Sequence, residues 1–165
     1  MFRIPTARSL GLLAGVSAAS LWALVGGPTA TAAPPASCPA PGAAAVQAGD
    51  GGAACSATSS AGGAAAAYGL DGTAAADAAA TSLSLAVAQN GGVAISDSQF
   101  LSGPAAIAVG PGAQATVLGA RPGLSIGAAG PGASVVVTGT SAPTCTGGLA
   151  FAGDFQTLQG CVSMR

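Results

Sequence analysis

The chain of 165 residues contains no histidine, lysine or glutamate, and its only charged side chains are four arginines and five aspartates. Histidine is the commonest general base and the commonest metal ligand, so Ser-His-Asp triads and histidine zinc sites cannot be assembled within one chain. Any catalysis would have to run on Asp, Ser, Cys or Tyr alone. The chain is therefore read as non-enzymatic, with no catalytic residue, cofactor or metal site expected. Basic groups are equally scarce: beyond Arg3 and Arg8 there are only Arg121 and Arg165. Two arginines without a patch cannot neutralise a phosphate backbone, which excludes nucleic acid as a partner.

Large apolar groups are also few. Half the chain counts as hydrophobic, but much of that is alanine, and past the N-terminal segment the aromatics are Tyr68, Phe100, Phe151 and Phe155. At about 25 cal/mol per Å² buried, alanine contributes little, so the core should be thin for the chain length. One small domain with external support is expected.

Arg3 and Arg8 precede an uncharged stretch whose apolar character comes from residues such as Leu10, Leu12, Leu13, Val16, Leu21, Trp22 and Leu24. Gly26-Gly27-Pro28 then breaks the run, and Ala30-Thr31-Ala32 fits the small-x-small rule of a signal peptidase site. Residues 1–32 thus read as a secretory signal peptide, cleaved after Ala32 or one residue later. An uncleaved anchor is the second reading, because the run approaches the roughly 17 to 25 residues that span a bilayer. Its glycines, serines and small-residue exit favour cleavage. Arg3 and Arg8 are not adjacent, so no twin-arginine signal is present. Pro35-Ala36-Ser37 before Cys38 does not resemble a lipid-attachment site. The expected product is secreted or held in the cell envelope, without a membrane span, and carries two arginines against five aspartates, a net charge of −3.

The cysteines are Cys38, Cys55, Cys145 and Cys161, two towards each end of the mature chain. An even number in an exported protein reads as a disulfide framework with three possible connectivities. Local pairs, Cys38 with Cys55 and Cys145 with Cys161, are favoured because each would tie off one end of the centre. The competing reading joins the two ends to each other. Metal binding is the weaker use, since there is no C-x-x-C spacing and no histidine.

Two regions follow from the residue pattern. Residues 33–66 are Pro, Ala, Gly and Ser with almost no large apolar residue, and read as loop apart from the cysteine pair. Residues 67–165 read as a small repeat-containing β domain. Leu83, Leu85 and Val87 alternate with Ser84 and Ala86, Asn90-Gly91-Gly92 intervenes, and Val93 and Ile95 resume the alternation. Gly110-Pro111-Gly112-Ala113 recurs as Gly130-Pro131-Gly132-Ala133, twenty positions on. A repeat of that length suggests stacked coils, each too small to bury a face alone. The expected fold class is all-β, a short β-solenoid or β-roll with disulfide-closed ends. Two alternatives stay open. Asn90-Gly91 is a strong hairpin signal, which favours an antiparallel sandwich. The alanine-rich stretch Thr73 to Gln89 has helix propensity.

The stretch Ala106-Ile107-Ala108-Val109-Gly110-Pro111-Gly112-Ala113-Gln114-Ala115 resembles one coil of the head repeats of trimeric autotransporter adhesins. That resemblance implies a parallel β-roll. With its signal, terminal cysteine pairs, Ala66-Ala67-Tyr68-Gly69-Leu70-Asp71-Gly72 and alternating centre, the whole chain is similar to an uncharacterised family of small secreted actinobacterial proteins. This second resemblance implies location and no known activity.

Several motif matches are weak. Gly123-Leu124-Ser125-Ile126-Gly127 fits the G-x-S-x-G nucleophile elbow, which needs a histidine that the chain lacks. Gly110 to Ala115 fits G-x-G-x-x-A, but Pro111 removes a donor and a strand pattern follows, so a turn is expected. Gly91 to Asp97 resembles a calcium-binding β-roll repeat with its aspartate one place late, and Asp97 reads as a solvated loop residue. Asp71 and Asp77 could pair for sugar hydrolysis, but nothing in the sequence aligns them. The function expected is that of an exported structural or interaction protein, whose partner is a cell-envelope component or another copy of itself. A small-ligand or glycan-binding module is the alternative, with Tyr68 and Phe100, then Phe151 and Phe155, as first contacts to test, although core packing explains these aromatics more simply.

Overall fold

A computed structural model describes residues 34–165; the signal peptide read over residues 1–32 and its cleavage site lie outside them. The strands in chain order are β1 (Ala36–Pro41), β2 (Ala44–Asp50), β3 (Ala53–Ser59), β4 (Ala64–Leu70), β5 (Thr73–Ala78), β6 (Leu83–Gln89) and β7 (Val93–Ser98). They continue as β8 (Ser102–Val109), β9 (Gln114–Gly119), β10 (Gly123–Ala129), β11 (Ser134–Val137), β12 (Thr144–Thr146), β13 (Leu149–Asp154) and β14 (Gln159–Met164). No described residue is helical.

From β4 to β11, each strand lies in the sheet opposite to the one before it. The first sheet has the order β1-β4-β6-β8-β10-β13-β14 and the second β12-β11-β9-β7-β5-β3-β2. Within a sheet the central neighbours are parallel: Ala54 lies beside Thr73, Ala74 beside Ala94, Ala94 beside Ala115 and Ala115 beside Val135, so a coil takes 19 to 21 residues. The protein is a β-solenoid of about four turns. Antiparallel pairs occur only towards the ends, where β1 joins β4, β2 joins β3, β12 joins β11, and β13 lies between β10 and β14.

The usual binary pattern is inverted. In β6, Ser84, Ala86 and Ala88 point inward and are buried, whereas Leu83, Leu85 and Val87 point outward. The interior is mostly alanine and serine, with Cys38 and Cys55 buried at one end and Val117, Val135, Val137 and Asp154 buried towards the other. The turns explain why. Asp71 and Gly72 are all that separate β4 from β5. A turn this short leaves too little height for two layers of leucine between sheets that ordinarily stand about 10 Å apart. Buried serines serve the same thin interior. Ser84 Oγ donates to Ser96 O at 2.9 Å, and Ser96 Oγ donates to Pro104 O at 3.1 Å, so these hydroxyls are buried with partners.

Three expectations are corrected. The segment read as loop over residues 33–66 is, in its described part from residue 34, not loop: β1, β2 and β3 lie there, because small residues are what the interior of this coil requires. Residues 73–89 are not helical but form β5 and β6, tertiary pairing overriding alanine's helix propensity. The antiparallel sandwich is excluded in the centre. Asn90 and Gly91 do adopt φ of 50° and 79°, as a tight turn demands, but the turn carries the chain from one sheet to the other. The repeated Gly-Pro-Gly-Ala turns stack in successive coils, with Gly132 N donating to Pro111 O at 3.0 Å.

Both favoured cysteine pairs are formed. Cys38–Cys55 joins β1 of the first sheet to β3 of the second, with Cα atoms 5.9 Å apart. Cys145–Cys161 joins β12 to β14 at the opposite end, with Cα atoms 5.7 Å apart.

Candidate functional site

With small residues inside, the larger side chains are displayed on the two outer faces, and these faces differ. On the first sheet every second residue points out, and strand register aligns them in rows across the coils. One row begins at Ser37 beside Tyr68, continues through Val87 and Ile107, and ends at Ala128 beside Phe151 and Phe151 beside Val162. A neighbouring row holds Leu85, Ala105 and Ile126. Among the described residues, no charged side chain points out from this sheet. Tyr68 is 37% exposed and Phe151 48%.

The outer face of the second sheet is more polar. Ser56, Thr58, Thr73, Gln114, Thr116, Ser134, Thr144 and Thr146 point out there, interspersed with Val93, Ile95 and Val136. Near one row of turns it carries the only pair of carboxylates that the register sets side by side among the described residues, Asp77 on β5 and Asp97 on β7, with Thr58 next to Asp77. These three residues, with Thr81, Phe100, Leu101 and Pro122, line an open groove of about 710 Å³. Phe100 is 68% exposed at φ 51°, held outward by the turn between β7 and β8. The groove offers carboxylate and hydroxyl acceptors beside an aromatic face, a combination suited to a hydroxyl-bearing ligand. Among the described residues no three of His, Cys, Asp or Glu converge as a metal site would need.

The structure separates the two sequence-nominated contacts: Tyr68 stands on the first sheet's face and Phe100 in the groove of the second. It also corrects the packing explanation, since Tyr68, Phe100, Phe151 and Phe155 are all exposed and none belongs to the core. Ser125 is 2% exposed within β10, with no strand-to-helix turn around it, so the nucleophile-elbow geometry is not there. Gly110 to Ala113 is a turn and Gln114 opens β9, as expected. Asp97 is corrected from loop to strand, and Asp71 lies in a turn rather than beside Asp77. The Asp77–Asp97 pair was missed, although the twenty-residue spacing of the Gly-Pro-Gly-Ala turns is also the spacing of these aspartates.

No curated protein and no solved structure matches the chain. A family model does, over residues 2–164, nearly the whole length, and so the chain belongs to DUF6764, a family of unknown function.

Proposed function

We propose that this is an exported protein of the secreted or cell-envelope fraction that acts without catalysis, as a structural or interaction module. The observation that carries the reading is the uncharged outer face of the first sheet, where Tyr68, Val87, Ile107 and Phe151 line up in register. A contiguous apolar face of this kind is what soluble proteins keep for contact with a partner. Two disulfides support an oxidising destination. The test is crosslinking on intact cells followed by identification of what is attached. Specific adducts lost in Ile107→Asp, with export intact, are expected; adducts indifferent to that substitution would remove the face from the function.

A second reading, a small-ligand or glycan-binding module, is favoured by one observation, the placing of Phe100 beside Asp77 and Asp97 in a single groove. A glycan array tests it. Saturable binding lost in both Phe100→Ala and Asp97→Asn supports it, and binding lost in Tyr68→Ala instead would move the ligand to the opposite sheet.

A further inference from the structure

The two disulfides close opposite ends of the solenoid, but their surroundings differ. Cys55 lies on β3, flanked by Ala48 of β2 on one side and Ala74 of β5 on the other. Strand β2 thus stands outside this cross-link, and Cys38 and Cys55 are 0% and 5% exposed. At the other end both cysteines sit on the last strand of their sheet, Cys145 on β12 and Cys161 on β14. Cys145 has only Val135 beside it and Cys161 only Ala152. Both face inward with these buried neighbours, but among the described residues no further strand covers them, and both are partly exposed. Cys145 also lines an open groove of about 620 Å³, shared with Thr146 of β12 and with Val162 and Ser163 of β14.

We propose that Cys145–Cys161 is a thiol–disulfide exchange site whose reactant is an external thiol, whereas Cys38–Cys55 is a purely structural cross-link. Exchange proceeds by attack of a thiolate on one sulfur of the bond, so access to that sulfur decides whether it occurs. The groove is lined by Cys145 and not by Cys161, which makes Cys145 Sγ the sulfur attacked. A bond forms between the incoming sulfur and Cys145 Sγ while the Cys145–Cys161 bond breaks. Its electron pair leaves on Cys161 as a thiolate, which takes a proton from water. With a monothiol the product is a mixed disulfide that tethers the reactant at Cys145. With a dithiol, the second sulfur attacks the first, so Cys145 leaves as a thiolate and the reactant as a cyclic disulfide. Two thiols of the reactant are then oxidised for one disulfide reduced.

The end open to exchange is also the end that exchange can loosen. Strand β12 has three residues and pairs with β11 alone, with Ser134 beside Thr146, Val135 beside Cys145 and Val136 beside Thr144. The disulfide is its covalent link to the first sheet. Breaking that link leaves β12 on three residue pairs, and its fraying uncovers Val135, which is 1% exposed. The opposite cap is built differently: β2 pairs with β3 along seven residues, Ala44–Asp50, and shields the cysteines it covers. None of this depends on the apolar face of the first sheet, so the exchange site stands or falls apart from the interaction reading.

The test is timed reduction by dithiothreitol of protein exported from cells expressing the full chain, under native conditions, followed by alkylation and peptide mapping. Cys145 and Cys161 should be alkylated at least about tenfold faster than Cys38 and Cys55, access being what separates the pairs. In guanidinium chloride, where the coils are unfolded, that difference should vanish. Hydrogen exchange on the protein reduced at this end should show protection lost first in β12 and β14 and kept in β1 to β3. The sulfur attacked is identified by single variants treated with glutathione disulfide, which runs the first step in reverse. Cys161→Ser, with Cys145 free, should form the mixed disulfide at least about tenfold faster than Cys145→Ser. Because a serine variant could misfold, native protein treated with reduced glutathione and quenched in acid forms the second arm, and its adduct should map to Cys145. An adduct on Cys161 overturns the assignment of the attacked sulfur. Opening of Cys38–Cys55 first, or of both pairs together, overturns the exchange site.

Discussion

Gly127 has no room for a side chain: a Cβ placed there would lie 2.8 Å from Val117 Cγ2 and 2.8 Å from Val135 Cγ1. The two valines are the large members of the interior at this level, and the glycine opposite is what lets the sheets close over them. Gly127→Leu should therefore cost about 1–3 kcal/mol by overpacking, read as a lower midpoint in urea. The same logic reverses the usual ranking elsewhere. Ala106, fully buried, should lose about 1–3 kcal/mol on change to Leu. Ile95→Ala, at a position 42% exposed, should lose less than about 1 kcal/mol, the spread of strand propensity. Finding the isoleucine change to be the more damaging would contradict the alanine interior. A further residue-scale case is Asp154, 2% exposed, which accepts from Gln156 N at 3.0 Å and from Thr157 Oγ1 at 2.8 Å and so shapes the turn between β13 and β14. Asp154→Ala strips both donors of their acceptor and should cost about 1–3 kcal/mol in the same assay.

At the scale of elements, the coils differ from their ends. Central strands are paired on both sides, whereas β1, β2, β12 and β14 are edges. Edge strands invite further pairing, and Pro39 and Pro41 on β1 withhold backbone donors there. The disulfides complete the caps by crossing between sheets, so that neither edge hairpin can peel away alone. In the chain-entropy description a loop of about 15 residues is worth about 3 kcal/mol. Cys38→Ala with Cys55→Ala should cost about that amount. Hydrogen exchange should show the loss first in β1 to β3, with β6 to β9 still protected, because a solenoid unravels from the end whose cap is removed. Uniform loss of protection through all coils would show that the cross-link is felt globally instead. The turns carry strain of their own. Thr81 adopts φ 62°, and Gly62 occupies the equivalent corner one coil earlier at φ 79°. Thr81→Gly should gain about 1 kcal/mol, since the left-handed region costs an L residue about 1–2 kcal/mol.

At the largest scale, the solenoid formed by the described residues is close to one-dimensional, each coil touching its neighbours above and below. Because Val93 sits beside Gln114, excising residues 93–113 joins Gly92 to Gln114 and brings β9 to the place of β7 beside β5. The shortened protein should fold cooperatively with both disulfides formed and a lower thermal midpoint, checked by circular dichroism and peptide mapping. An unfolded or scrambled product would mean that the coils are not interchangeable.

What was legible before the structure was the part that depends on local chemistry and spacing. The alternation through Leu83, Leu85 and Val87 announced strands, the recurrence of Gly-Pro-Gly-Ala announced stacked coils, and the positions of the four cysteines suggested end caps. The absence of histidine, lysine and glutamate restricted the chemistry available. Tertiary structure decided which face of each strand is inside. Alternation is symmetric between two faces, and only the height permitted by turns such as Asp71-Gly72 assigns alanine and serine to the interior and leucine to the surface. It also decided the pairing of Asp77 with Asp97 and the alignment of Tyr68, Val87 and Ile107 in one outer row, because lateral neighbours a coil apart become neighbours only when the register between coils is set.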